Sequence, residues 1–218
     1  CQGVVGAYSG IAADKLFELA DITYFKNFDA VFQAVEKGFC RYGVLPIENS
    51  TAGSVNGVYD LMAEHNFYVV KSFRLKINHC LLGNKGATLD GIKEIFSHEQ
   101  AINQCSDFLR EHSNIKVTVC ENTAVAAKMV MESGRTDAAA ISSENCRELY
   151  GMTLISDDVQ NKDNNYTRFI CISKDLEIYP GADKTSFVLT LPLHPGSLYH
   201  TLARFYALGI NVQKLESR

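Results

Sequence analysis

These 218 residues contain no Lys/Arg cluster, no long apolar run and no paired-cysteine motif, and each absence removes a class of function. The basic residues are scattered and the formal net charge is -4, so no electrostatic footprint exists for nucleic acid or an anionic membrane surface. No apolar run approaches the ~20 residues of a membrane span. No signal peptide is visible, and a cytoplasmic location is the expectation. The seven cysteines are odd in number and never in a CxxC spacing. That usage suits a reducing compartment, with most of them acting as small core residues and none grouped as a zinc site. His79, His98 and His112 are isolated and read as packed or solvated, and no Ser/His/Asp or Cys/His grouping can be argued. No GxGxxG or phosphate loop follows the first expected strand. Cys1 rather than Met stands first, which reads as a chain with residues upstream.

What is present is a hydrophobic share of 46%, enough to bury a core and exclude disorder. Periodicity predicts strands near 3–8, 22–26, 42–47, 67–72, 77–82, 93–97, 116–120, 138–142 and 167–173. Helices fit 10–20, 28–38, 54–65, 99–111, 123–133 and 143–150. Val55, Val58, Tyr59 and Met62 share one helical stripe, and Gln100 and Gln104 share another face four residues apart. Alternation of this kind implies an α/β fold with a mostly parallel sheet. Two similar halves are expected, one from 1–76 with a return at 156–175 and one from 77–155. Residues 176–183, with Pro180 and Gly181, read as a linker. From 184 to 218 a strand–helix–strand unit follows, too small to bury both faces alone.

Five predicted strand ends run into helices through small hydroxyl or amide residues: AYSG (7–10), IENSTAGS (47–54), FSHEQ (96–100), ENTAV (121–125) and SSEN (142–145). In a parallel sheet such junctions share the edge where ligands bind, and helix N-termini there favour an anion. Ser97 or Thr123 alone has a plain alternative as a helix cap. Five together favour a cleft for a small carboxylate. In NNYTRF (164–169), Arg168 at the mouth of a strand either takes a carboxylate or makes a structural ion pair. Thr167 beside it offers a hydroxyl donor, a poor acid but able to stabilise a leaving oxyanion. Asp157 and Asp158 read as a solvated pair.

PIENSTAGSVNGVYDLM, INHCLLG, FSHEQAINQC, CENTAVAA and NNYTRF, in this order, with GAYS ahead of them, resemble the prephenate dehydratase family. The tail from Lys184 resembles the start of the ferredoxin-like ACT regulatory domain that usually follows it. The likeness is particularly close to the dehydratase segment of bifunctional chorismate mutase–prephenate dehydratases, without the mutase helices. It implies two α/β subdomains with a cleft between them, of the type II periplasmic-binding-protein kind, followed by the first βαβ of an ACT domain. It also implies conversion of prephenate to phenylpyruvate with loss of CO2 and water, with no metal or cofactor.

Carried over by position, the family's catalytic residues fall on Thr167, Glu121 and Gln104, and its substrate contacts on Asn49, Ser50, Ser97, Thr123 and Arg168. Thr167 is then the donor to the departing hydroxyl and Arg168 a carboxylate anchor. Glu121 either sits protonated near a dianionic substrate or orients Gln104 or Thr123. The effector motifs correspond to His194, Pro195, Gly196, Ser197 and Leu198, and to Leu215 with Glu216, Ser217 and Arg218. Phenylalanine as effector and a homodimer or homotetramer follow from the same likeness, although only half of the ACT order is present. Three rivals stand beside it: an arogenate dehydratase, a two-lobed small-carboxylate binding protein, and an amino-acid sensor with a dead cleft.

Overall fold

A computed structural model describes residues 1–217. Its strands are β1 (Tyr42–Asn49), β2 (Gly53–Ser54), β3 (Tyr68–Lys76), β4 (His79–Gly83), β5 (Glu94–Ser97), β6 (Lys116–Val119), β7 (Ala138–Ser143), β8 (Thr153–Ser156) and β9 (Tyr166–Ser173). Its helices are α1 (Tyr8–Leu16), α2 (Phe28–Glu36), α3 (Asn56–Glu64), α4 (Glu99–Gln104), α5 (Ser106–Glu111), α6 (Thr123–Ser133), α7 (Asn145–Tyr150) and α8 (Ser197–Ala207).

The strands form two sheets, ordered β2-β1-β9-β3 and β6-β5-β7-β4-β8. The chain passes from the first to the second at residues 77–78 and returns through 157–165, so two short crossovers join two lobes. In the second lobe β7 is buried along its whole length, because helices cover both faces of the sheet. Leu82, Ala138 and Ala140 pack against Ala124, Ala127 and Val130 of α6. Leu81, Ala139 and Ile141 pack on the other side against Ala101 and Cys105. In the first lobe Leu45, Ile170 and Ile172 meet Val31, Phe32 and Val35 of α2. Val44 and Phe169 face Ala12 and Ala13 of α1.

Several expectations are corrected. The sheets are not mostly parallel: every pairing of the first is antiparallel, and only β5 with β6 and β5 with β7 run parallel in the second. A strand–helix order fixes which elements alternate but not which strand lies next to which. The strands expected near 3–8 and 22–26 do not form: Tyr8 already opens α1, and a single bridge joins Gln2 to Phe25. The helix expected over 99–111 breaks at Cys105 into α4 and α5. Among the described residues the tail holds α8 alone, without the two flanking strands of a βαβ unit. With no sheet neighbour, their backbone groups have no ladder to join.

Candidate active site

At the end of β1 the pairing with β9 skips one residue between Pro46 and Glu48. Side chains alternate along a strand, so an unbroken register would put Asn49 opposite Tyr166. The bulge instead sets Asn49 opposite Thr167 and Glu48 opposite Arg168. Asn49 then donates from Nδ2 to Thr167 Oγ1 at 2.9 Å and to Asn165 Oδ1 at 2.8 Å. Its Oδ1 accepts from the backbone N–H groups of Thr51 and Ala52, both at 2.9 Å, and from the Thr51 hydroxyl at 2.7 Å. Within the PIENSTAGSV junction two backbone N–H groups and the Thr51 side chain close a turn around this buried amide, while Ser50 and Ser54 bond elsewhere.

The second lobe enters through Gln104 at the end of α4. Its Nε2 donates to Thr51 Oγ1 at 2.7 Å, and its Oε1 accepts from Asn165 Nδ2 at 2.9 Å. Its Oε1 also lies 3.0 Å from Nε2 of His79, the first residue of β4. His79 is buried, and burial lowers its pKa to about 4 against a smaller opposing push from the Gln104 hydrogen bond. On its far side Nδ1 lies 3.3 Å from the hydroxyl of Tyr8, which donates to the Asn78 carbonyl at 2.5 Å. The network thus runs from α1 through both lobes to the start of β9.

A cavity of about 540 Å³ opens beside it, lined by polar side chains of Thr51, the α4 segment from His98 to Gln104, and Gln160, Asn161 and Asn165 of the returning crossover. Glu99 and Lys162 are the charged residues of its lining. That volume lies in the range of small-molecule sites. Gln100 and Gln104, placed on one helical face from spacing, both line it.

The site residues expected from sequence separate into two sets. Asn49, Gln104 and Thr167 are brought together. Ser50 is adjacent but committed: its hydroxyl donates to the Asn164 carbonyl and accepts the Tyr166 N–H, both at 2.9 Å, tying the crossover to β1. Ser97 is fully buried and donates to the Ile141 carbonyl at 2.7 Å, a bond between neighbouring strands. Neither Ser97 nor Thr123 is a cap. His98 Nδ1 accepts the Gln100 N–H, and Asn122 caps α6 through Val125 N–H. Glu121 is exposed in the bend two residues past β6 and outside the cavity lining. Arg168 points to the face of β9 opposite Thr167, 3.6 Å from Glu48 Oε1. Burial works to raise the Glu48 carboxyl, but Lys214, which hydrogen-bonds it, and Arg168 outweigh that and lower its pKa.

In the tail, Gly196 holds φ at 88°, a left-handed value that favours glycine, ahead of α8. His194, Pro195, Ser197 and Leu198 lie around a shallow hollow of about 490 Å³. Glu216 accepts from Ser54 Oγ at 3.1 Å, Ser217 is exposed, and Arg218 lies outside the described residues.

Thr51, Asn165 and His79 were not assigned from sequence. Asn165 was within reach, because it shares strand parity with Thr167. For the contacts of Thr51 and His79 with Gln104 no local signal exists, since it lies 53 and 25 positions from them.

The profile of the prephenate dehydratase family matches residues 1–177. Over 220 residues the chain is 39% identical to "Arogenate dehydratase/prephenate dehydratase 2, chloroplastic" of Arabidopsis thaliana, covering 100% of this chain and 57% of that protein. It therefore spans little more than half the length of that relative. Among solved structures, a prephenate dehydratase in complex with L-Phe from Arthrobacter aurescens superposes with a TM-score of 0.84 at 26% identity, over 100% of this chain and 74% of that one. GqqA, described as a novel type of quorum quenching acylase, superposes at 0.82 with 28% identity, over 100% and 80%.

Proposed function

The chain belongs to the prephenate dehydratase family, and we propose that it converts prephenate to phenylpyruvate with loss of CO2 and water. The observation that carries this reading is the Thr167 hydroxyl. Its oxygen accepts from Asn49, and among the described residues none accepts from it, so its proton is uncommitted; Thr167 stands outside the cavity lining, bonded to Asn49, which in turn meets Asn165 of the lining. Polarisation by the Asn49 N–H makes that hydroxyl a better donor.

In the reaction the bond to the ring carboxylate breaks and CO2 leaves. Its electron pair enters the ring, the ring hydroxyl departs as hydroxide, and the ring becomes aromatic. Hydroxide takes up a proton from solvent. Thr167 donates its hydrogen bond to the departing oxygen, where charge develops. The side-chain carboxylate needs an anchor. Lys162 serves in this reading, because it lines the cavity while Arg168 faces away beside Glu48. Gln104, Asn165 and Thr51 form the polar wall that holds the substrate in register.

Arogenate is the alternative substrate, favoured by the double name of the Arabidopsis relative and by Glu99, a carboxylate in the cavity lining able to receive an ammonium group. An acylase reading has less support. The cavity presents no nucleophile with a free base, since His98 Nδ1 accepts a backbone N–H and His79 faces Gln104. For the tail the same family reading proposes phenylalanine at the 194–198 turn and pairing of two chains. All seven cysteines are free, which suits a reducing compartment such as the cytoplasm.

The test is phenylpyruvate formation from prephenate, and phenylalanine formation from arogenate, by wild type and Thr167→Val. We expect prephenate turnover, reduced about 10²–10³-fold in the valine variant with unchanged circular dichroism. Arogenate as the faster substrate would exchange the substrates and keep the site. Turnover of neither would overturn the reading, and full activity in Thr167→Val would remove Thr167 from it.

A further inference from the structure

We propose that His79 is a positioning residue for this site, fixing the orientation of the Gln104 amide against Thr51 and Asn165. The inference rests on the dehydratase reading above.

Hydrogen-bond polarity decides the orientation of each amide in this network. An amide side chain can turn over with almost no change of shape, so only its partners decide which end is oxygen. Here the decision starts at the backbone. The N–H groups of Thr51 and Ala52 cannot reverse, and both point at one atom of Asn49, which must therefore be Oδ1. Asn49 Nδ2 then faces Asn165 and Thr167, which makes the Asn165 atom it meets Oδ1. Asn165 accordingly donates from Nδ2 to Gln104, whose receiving atom is Oε1. The second group in contact with Gln104 Oε1 is Nε2 of His79, so it must carry a proton. Every link has one consistent sense, and His79 is the far end of the chain, in the other lobe.

Two consequences follow. A neutral imidazole protonated on Nδ1 would turn a lone pair toward Gln104 Oε1, so the structure assigns the Nε2–H tautomer. Without a donor at this position Gln104 loses one of the two groups that keep Oε1 toward Asn165 and Nε2 toward Thr51 and Asn49. The Gln104 wall then samples both amide orientations, and the reversed one sets two N–H groups against each other at Asn165. His79 itself lies outside the cavity lining and meets it at Gln104. Tyr8 Oη lies 3.3 Å from Nδ1 on the far side, with its proton given to the Asn78 carbonyl.

The test compares His79→Gln, whose amide can present an N–H to Gln104, with His79→Leu, which cannot. Both are judged for folding by circular dichroism and urea midpoint. We expect kcat of His79→Leu to fall about 10- to 100-fold with KM changed much less, since the defect is one of geometry. We expect His79→Gln to recover most of that loss. Wild-type kcat in His79→Leu would overturn the inference, as would equal loss in both variants following their loss of stability. A readout independent of turnover is the long-range ¹H–¹⁵N correlation of the wild-type imidazole, where the Nε2–H pattern supports the assignment and the Nδ1–H pattern overturns it. If wild type turns over neither substrate, the dehydratase reading fails, and the tautomer still decides the role assigned to His79.

Discussion

Burial holds the His79 imidazole at a pKa of about 4 in the folded chain, against roughly 6.5 when it is exposed. Between those values the unfolded chain binds a proton that the folded chain does not, so stability rises with pH across the window. The contribution is fully present above about pH 6.5 and is lost as pH falls toward 4, on the order of 3 kcal/mol in all. His79→Gln removes the titration, and urea midpoints measured from pH 7 to pH 4.5 should fall less steeply than in wild type. Equal slopes in the two proteins would place the acid sensitivity elsewhere. Nothing in the sequence announces this histidine, because INHCLLG shows a histidine at a strand start and not the glutamine it faces. Thr167 and Asn49 were more legible, since a hydroxyl and an amide at two strand ends point to a binding edge. The missing step was the bulge in β1, which decides that Asn49 looks at Thr167.

At the scale of elements, apolar periodicity found β1 and α2 near their observed limits and said little about direction. An antiparallel sheet and a parallel one draw on the same β-prone runs, and the order of strands depends on contacts between distant segments. The interface of β1 with α2 is closely packed at Gly43. A Cβ there would lie 2.9 Å from carbons of both Ile172 and Val31 and 3.0 Å from Val35. Those neighbours are buried branched side chains with little freedom to move. Gly43→Ala should therefore destabilise by about 1–3 kcal/mol through overpacking, read as a lower urea midpoint with unchanged slope. Because β1 carries Asn49, the same variant should also lose activity beyond the fraction unfolded. An unchanged midpoint would mean that α2 can move away from the sheet at little cost.

For the molecule as a whole, the two lobes and the tail are held by different means. The lobes share the network from Tyr8 to Thr167 and two covalent crossovers. The tail touches the first lobe through Lys214 on Glu48, Glu216 on Ser54 and the Lys214 ammonium 5.6 Å from the centre of the Tyr59 ring. Surface ion pairs of this kind are worth about 0–1 kcal/mol each. Large apolar side chains of the tail remain open to solvent, with Phe187 60% and Tyr206 86% exposed. A surface like that normally meets a partner. Deleting residues 184–218 should leave the circular dichroism of both lobes intact and shift the thermal midpoint by only a few degrees, about 2–4 °C per kcal/mol at this chain length. If the tail pairs two chains, the full protein should sediment as a concentration-dependent oligomer and the shortened one as a monomer. Collapse of the shortened chain would show that the tail is part of the first lobe's fold. A full-length monomer at high concentration would instead assign the tail's apolar face to a different partner.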